Sequence, residues 1–167
     1  MIRFCRDDEH ATMTAIINAA AEAYRGVIPP HCWSEPYMTI SELEQEIAAG
    51  VTFWGYESDG VLAGVMGLQH IRDVNLIRHA YVLPSWQRRG VASALIAHLR
   101  DFSTRQLLGG TWAAAEWAVD LYRRNGFELV PCETKDRLLR AYWSIPDSQI
   151  KASVVLANPP LALLNSD

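Results

Sequence analysis

The sequence predicts an α/β domain: a central, mostly antiparallel twisted sheet with helices on both faces. Two β-rich runs, residues 51–57 and 61–71, meet across Ser58-Asp59-Gly60, a loop with the glycine that a hairpin turn needs. Residues 76–83 and 107–114 read as strands on either side of a helical pattern over 91–104, a β-α-β crossover that lays a helix on the sheet. At 167 residues the chain holds one substantial core and is too short for two ordinary domains, so residues 1–167 are read as a single domain.

In chain order, residues 2–5 alternate apolar and polar as a first strand, and the acidic Asp7-Asp8-Glu9 suits the positive end of a helix. From Met13, the positions Ile16, Ile17, Ala20, Ala21 and Tyr24 keep helical spacing until Gly26 and the Pro29-Pro30 break. Residues 25–38 read as a loop. Ser41 and Glu44, three apart, are the predicted capping pair of a second helix that stops at Gly50. After the hairpin, Pro84 closes the strand over 76–83, and residues 91–104, free of Gly and Pro, set Val91, Leu95, Ile96, Leu99 and Phe102 on one helical face. Residues 117–125 form the next predicted helix, stopped by Gly126, and 127–130 open a strand. Residues 137–145 and 150–156, parted by Pro146-Asp147-Ser148, read as a last strand pair before a tail rich in Pro and Leu. Exposed at one end of the sheet, that pair would support a homodimer.

Composition narrows the function. Half the residues are hydrophobic (50%) and 20% are charged, the balance of a soluble globular protein. A net charge of -4 with scattered basic residues lacks the positive footprint that phosphate backbones demand, so no nucleic-acid partner is expected. The first nine residues turn acidic where a signal peptide needs an apolar run, and no stretch reaches membrane-spanning length; a cytoplasmic protein with no membrane partner is expected. Cys5, Cys32 and Cys132 are odd in number and far apart, which suits reduced thiols and neither a disulfide framework nor a metal site.

The segment from His79 to Leu95 carries the chemistry: a strand that ends at Pro84 and turns directly into a helix. At a helix N-terminus the first amides have no partner within the helix, and they point together with the positive end of the dipole at whatever lies beyond. A diphosphate satisfies them. Gly90 keeps side chains out of that approach, Ala92 and Ser93 leave the first turn open, and Arg88 and Arg89 add charge. The bland alternative is that Gly90 only makes a turn and the arginines are solvated.

This stretch resembles the GNAT acetyltransferase family, whose signature Gln/Arg-x-x-Gly-x-Gly/Ala is met by Gln87, Gly90 and Ala92 at the start of a long helix. A second family hallmark, a strand, a short helix and a closing Tyr-x-x-x-Gly-Phe, is met by residues 107–114 and then by Tyr122, Gly126 and Phe127. Two motifs in the right order are far more specific than either alone. One position departs: seven residues before the tyrosine, where many members carry Asn, stands Ala115, leaving Glu116 as the candidate cap.

The resemblance implies the acyl-CoA N-acyltransferase fold, acetyl-CoA as cosubstrate, no metal, and acetyl transfer to a primary amine by direct attack in a ternary complex. The alternative is a non-catalytic acetyl-CoA sensor or scaffold of the same fold. By resemblance the cofactor contacts fall on Tyr81, Val82, Leu83, Gln87, Arg88, Arg89, Gly90, Val91, Ala92, Ser93 and Tyr122. Tyr122 is implied as proton donor to the leaving thiolate, its alternative being a core tyrosine, and a backbone amide near Val82 as the oxyanion donor. His79 is the first candidate base, since it shares an alternating strand face with Tyr81 and the reference pKa of an imidazole suits proton transfer near neutrality, with Arg78 then facing the other side. Glu116 and Glu57 are the runners-up. The acceptor, a small-molecule or peptide amine, should bind between residues 25–49 and the final strands, with Trp33, Tyr37, Trp54, Trp117, Tyr142 and Trp143 as candidate lining.

Overall fold

A computed structural model describes residues 1–161. It runs β1 (Ile2–Phe4), α1 (His10–Ala21), α2 (Ile40–Ala48), β2 (Val51–Ser58), β3 (Val61–Ile71), β4 (Val74–Val82), α3 (Val91–Phe102), β5 (Gln106–Trp112), α4 (Glu116–Arg124), β6 (Glu128–Leu129), α5 (Cys132–Tyr142), α6 (Asp147–Lys151) and β7 (Ser153–Asn158). The strands form one sheet in the order β1-β2-β3-β4-β5-β7-β6. Asp59 and Gly60 both take left-handed φ, the turn whose twist matches the β2–β3 hairpin. Every ladder is antiparallel except β4–β5, which α3 forces parallel by crossing between them.

That parallel joint is where the sheet opens. β4 pairs with β5 only over residues 74–77 against 106–109, although β4 continues to Val82 and β5 to Trp112. On one face α1 and α2 bury Met13, Ile17 and Leu43 against Phe53 and Val65. On the other, α3 and α4 bury Leu95, Leu99 and Tyr122 against Met66 and Ile77. Leu76, next to Ile77 and therefore on the opposite face, packs with Leu108, Leu139 and Ile150, so α5 and α6 share the side of α1.

Two sequence expectations need correction. Residues 137–145 are not a strand: most lie in α5, which follows Pro131 and buries Lys135 and Leu139, four residues apart on one face, with Lys135 Nζ donating to the Ile150 carbonyl at 2.8 Å. The expected last strand begins late, at Ser153, after α6, and it lies between β5 and β6. Among the described residues these two segments therefore form no strand pair, and the strand at that end of the sheet is β6. The cap of α2 is also displaced: Thr39 Oγ1 accepts from the Glu42 amide at 3.1 Å while Glu42 Oε2 accepts from the Thr39 amide at 2.6 Å. Thr39 and Glu42 have the same spacing as Ser41 and Glu44, and the earlier start sinks Leu43 into the core while Glu44 meets His10 Nδ1 at 3.2 Å. Residues 162–167 of the Pro- and Leu-rich tail lie outside the described residues.

A charge cluster ties the first strand down. Arg3 holds Glu9 through two contacts, of 2.7 and 2.9 Å, Glu9 also accepts from the Arg6 amide at 2.7 Å, and the same guanidinium binds Glu57. Arg3 in first place holds the Glu9 carboxyl down at about 2. A depressed carboxyl stabilises the fold above its unfolded value and loses that contribution as pH falls through the folded one. Glu9→Gln should therefore lower stability by about 1–3 kcal/mol at neutral pH. In urea melts, the gap from the parent should close as pH drops from about 4.5 toward about 2.

Candidate active site

β4 carries one residue more than its partner allows. Val65 faces Tyr81 but Gly67 faces Arg78, so Met66 alone stands opposite His79 and Ala80, and His79 takes a left-handed φ of 55°. Such a bulge resets the alternation of side chains. Arg78 and His79, expected on opposite sides, consequently both reach one carboxylate: Glu46 Oε2 of α2 lies 3.1 Å from Arg78 Nη2 and 3.2 Å from His79 Nε2. The His79 contact is off the hydrogen-bond axis, and that buried nitrogen has no aligned partner. Contact with His79 first, and the charge of Arg78 after it, hold the Glu46 carboxyl below its ordinary range despite burial. His79 and Tyr81 thus do not share a simple alternating face.

Beyond the bulge, Leu83 N–H donates to the Ala63 carbonyl at 2.8 Å. Alternation then turns the Val82 N–H to the other edge of β4, toward the gap left by β5. Gln87 Nε2 donates to the Val82 carbonyl at 3.2 Å and pins the following turn to the strand. Arg88 (φ 62°) and Gly90 (φ 81°) both adopt left-handed backbone, and Gly90 is the N-cap of α3 with no side-chain hydrogen bond to its amides. The first amides of α3 are left for a ligand. Beside them lies a cleft of about 720 Å³, with Val82, Gln87, Arg88 and Ser93 on one wall and Trp117 and Arg124 of α4 on the other. Tyr81, Gly90, Val91 and Ala92 also line it.

A smaller chamber, of about 180 Å³, occupies the gap between β4 and β5. Tyr122 forms part of its wall, with its ring edge-on to Phe127 at 5.2 Å and flat against Gly109, where any Cβ would come within 2.8 Å of the ring. Burial first, and Tyr24 second, push the Tyr122 phenol up, so it stays protonated at neutral pH. Opposite stand Tyr24, Tyr37 and Tyr81, with ring centroids 5.8 to 6.4 Å apart. Burial raises the Tyr24 phenol to about 12 and Tyr81 well above its usual value. Cleft and chamber share Tyr24, Ala80, Tyr81, Ala118 and Leu121, so they meet in the splay.

Several candidate residues fall elsewhere. Leu83 packs into the core beneath α1 and α2, and Arg89 stacks on Trp86 at 5.1 Å instead of lining the cleft. Glu116 is the exposed first residue of α4, outside both cavities, and the helix is capped by buried Ala115 without any side-chain bond. Glu57 is engaged by Arg3 at the β1 edge. Of the aromatic candidates, Tyr37 and Trp143 line the chamber and Trp117 the cleft, whereas Trp33 packs at a tilt against Tyr37, with ring centroids 5.5 Å apart. Trp54 packs with Phe4 and His98, and Tyr142 donates to Asp73 at 2.6 Å. Glu46, Thr111 and Gln149 emerge only from the structure. Tyr24 was visible in the sequence as a helix-face position, but nothing local ties Glu46 to His79.

A splayed sheet with an uncapped helix N-terminus beside the opening is an architecture suited to hold an extended anionic ligand across a strand end. Residues 7–141 match the acetyltransferase (GNAT) domain model, and the chain belongs to the GNAT acetyltransferase family. No curated protein matches the sequence. Among solved structures, it is similar to the PaiA N-acetyltransferase of Thermoplasma acidophilum in complex with coenzyme A, at 15% identity, over 94% of this chain and 96% of that one, with a TM-score of 0.71. The ribosomal-protein-S18-alanine N-acetyltransferase of Escherichia coli aligns over 99% and 97% at 16% identity and a TM-score of 0.66. YncA of Salmonella typhimurium, a putative acetyltransferase with its cofactor acetyl-CoA, aligns over 78% and 80% at 19% identity and a TM-score of 0.58. Among the described residues no helix is long and apolar enough to cross a membrane, and no group of three or more His, Cys, Asp or Glu side chains is placed to hold a metal.

Proposed function

We propose that this protein transfers the acetyl group of acetyl-CoA to a primary amine by direct attack in a ternary complex. The observation that carries the reading is the meeting of cleft and chamber in the β4–β5 splay, with the Val82 amide edge, Tyr122 and His79 around it. The cleft fits the cosubstrate: uncapped α3 amides face it, Arg88 and Arg124 flank it, and its volume suits a large ligand. Those amides hold the diphosphate, and the apolar faces of Trp117 and Leu121 take the chain that leads to the splay.

Bound there, acetyl-CoA supplies a thioester carbonyl that an amine can attack. His79 accepts the proton that the amine nitrogen loses as its bond to the carbonyl carbon forms. Glu46 is a positioning residue that fixes the imidazole on the chamber side of the bulge. The Val82 N–H donates to the carbonyl oxygen as charge builds on it. Tyr122 gives its phenolic proton to sulfur as the C–S bond breaks, and regains one from solvent.

Release of free CoA thiol from acetyl-CoA, followed across a panel of amines, tests this. Amine-dependent release is the expected result; tight CoA binding with no amine-dependent release across the panel would favour the sensor reading. In the same assay Glu46→Gln should lower kcat/KM about tenfold with CoA affinity unchanged, while loss of the Arg78 ion pair lowers the thermal midpoint slightly. His79→Gln should lose about 100-fold or more.

A further inference from the structure

We propose that the acceptor is a small monoamine whose body is a single aromatic ring or a branched alkyl group, with no second cationic centre; this deepens, and rests on, the acetyl-transfer reading. Size is the first ground. The chamber measures about 180 Å³, against about 150 Å³ for an engineered cavity that takes up benzene. One ring or one branched chain fills it.

The walls are the second ground. Tyr24, Tyr37, Trp112, Leu139, Trp143 and Ile145 surround the space, and the Trp143 ring lies so close to Gly110 that a Cβ there would meet it at 3.2 Å. Flat apolar surfaces of this kind reward an apolar body by removing it from water. The electron-rich faces of Tyr24, Tyr37 and Tyr81 accommodate a single ammonium, which gives its first proton to solvent before the neutral amine attacks.

Charge decides against a polyamine. Among the described residues the chamber wall contains no Asp or Glu, and its permanent cation is Arg78. Glu46, the carboxylate that approaches from α2, already stands between Arg78 and His79. Glu22 and Glu35 are likewise held, by Arg25, outside the chamber. A second ammonium would lose its water beside a guanidinium whose carboxylate partner, Glu46, is already engaged, leaving the ammonium without a counter-charge, an arrangement proteins avoid.

Calorimetric titration of the CoA-loaded protein with 2-phenylethylamine, 3-methylbutylamine, spermidine and a short lysine peptide reads the proposal directly. The two monoamines should bind at least about tenfold more tightly than spermidine or the peptide. Equal or tighter binding of either of those, or no monoamine binding, overturns it. The isosteric Gln149→Glu places in the wall the carboxylate it lacks and should narrow the gap between 2-phenylethylamine and spermidine by about fivefold or more; an unchanged ratio counts against the charge argument. Failure of CoA itself to bind would instead overturn the acetyl-transfer reading, and titrating the amines into CoA-free protein would still read the chamber.

Discussion

Tyr122→Phe should lower kcat by about 100- to 10,000-fold while CoA affinity stays within about twofold of the parent. The substitution removes one oxygen and keeps the ring, so the packing on Phe127 and Gly109 is retained and the fold has little reason to change. Tyr122 borders the chamber and not the wide cleft, which is why binding of CoA should be spared. Because burial keeps its proton in place at neutral pH, the phenol is a donor over the whole working range, and no loss of activity from its deprotonation should appear as pH approaches the ordinary titration range of a tyrosine. Steady-state rates with saturating acetyl-CoA, together with calorimetry of CoA, separate the two quantities. A parent-like kcat would remove Tyr122 from the chemistry and leave it a core residue.

Gly90→Asp should weaken CoA binding by about 100-fold or more, equivalent to about 2.7 kcal/mol. Two effects add. At φ 81° any side chain strains the N-cap of α3, by about 1–2 kcal/mol, and the carboxylate faces the place where the diphosphate meets the amides. A Cβ at Gly90 meets no heavy atom within 4 Å, so the loss cannot be assigned to a clash inside the protein. Gly90→Ala carries the strain without the charge and should cost only about threefold to tenfold in affinity. Parent-like CoA binding in the Asp variant would place the cofactor somewhere other than this turn.

Much of this site was legible because its causes are local. The run from Val82 to Val91 contains its own strand end, its Pro84 stop, its left-handed Gly90 and the start of an amphipathic helix, so neighbours in sequence are neighbours in space. The hairpin at Asp59-Gly60 and the α4 element ending before Gly126 are local in the same sense. The misreadings arose where a distant partner chose between equal local options. Thr39 with Glu42 and Ser41 with Glu44 are equivalent capping pairs until Leu43 must be buried, and residues 137–145 carry apolar positions that suit either a strand or a helix until α5 docks beside Ile150.

What the sequence settled alone, then, is the family, the strand-turn-helix at Gly90, and the candidate phenol at Tyr122, because each follows from residues within one turn or one motif of each other. The tertiary structure decided the rest of the site. Only the β3–β4 register inserts His79 as a bulge, only the packing of α2 brings Glu46 to it, and only the early parting of β4 from β5 opens the chamber. Each of these is a contact between residues far apart in the chain, and no local propensity encodes a distance across a sheet.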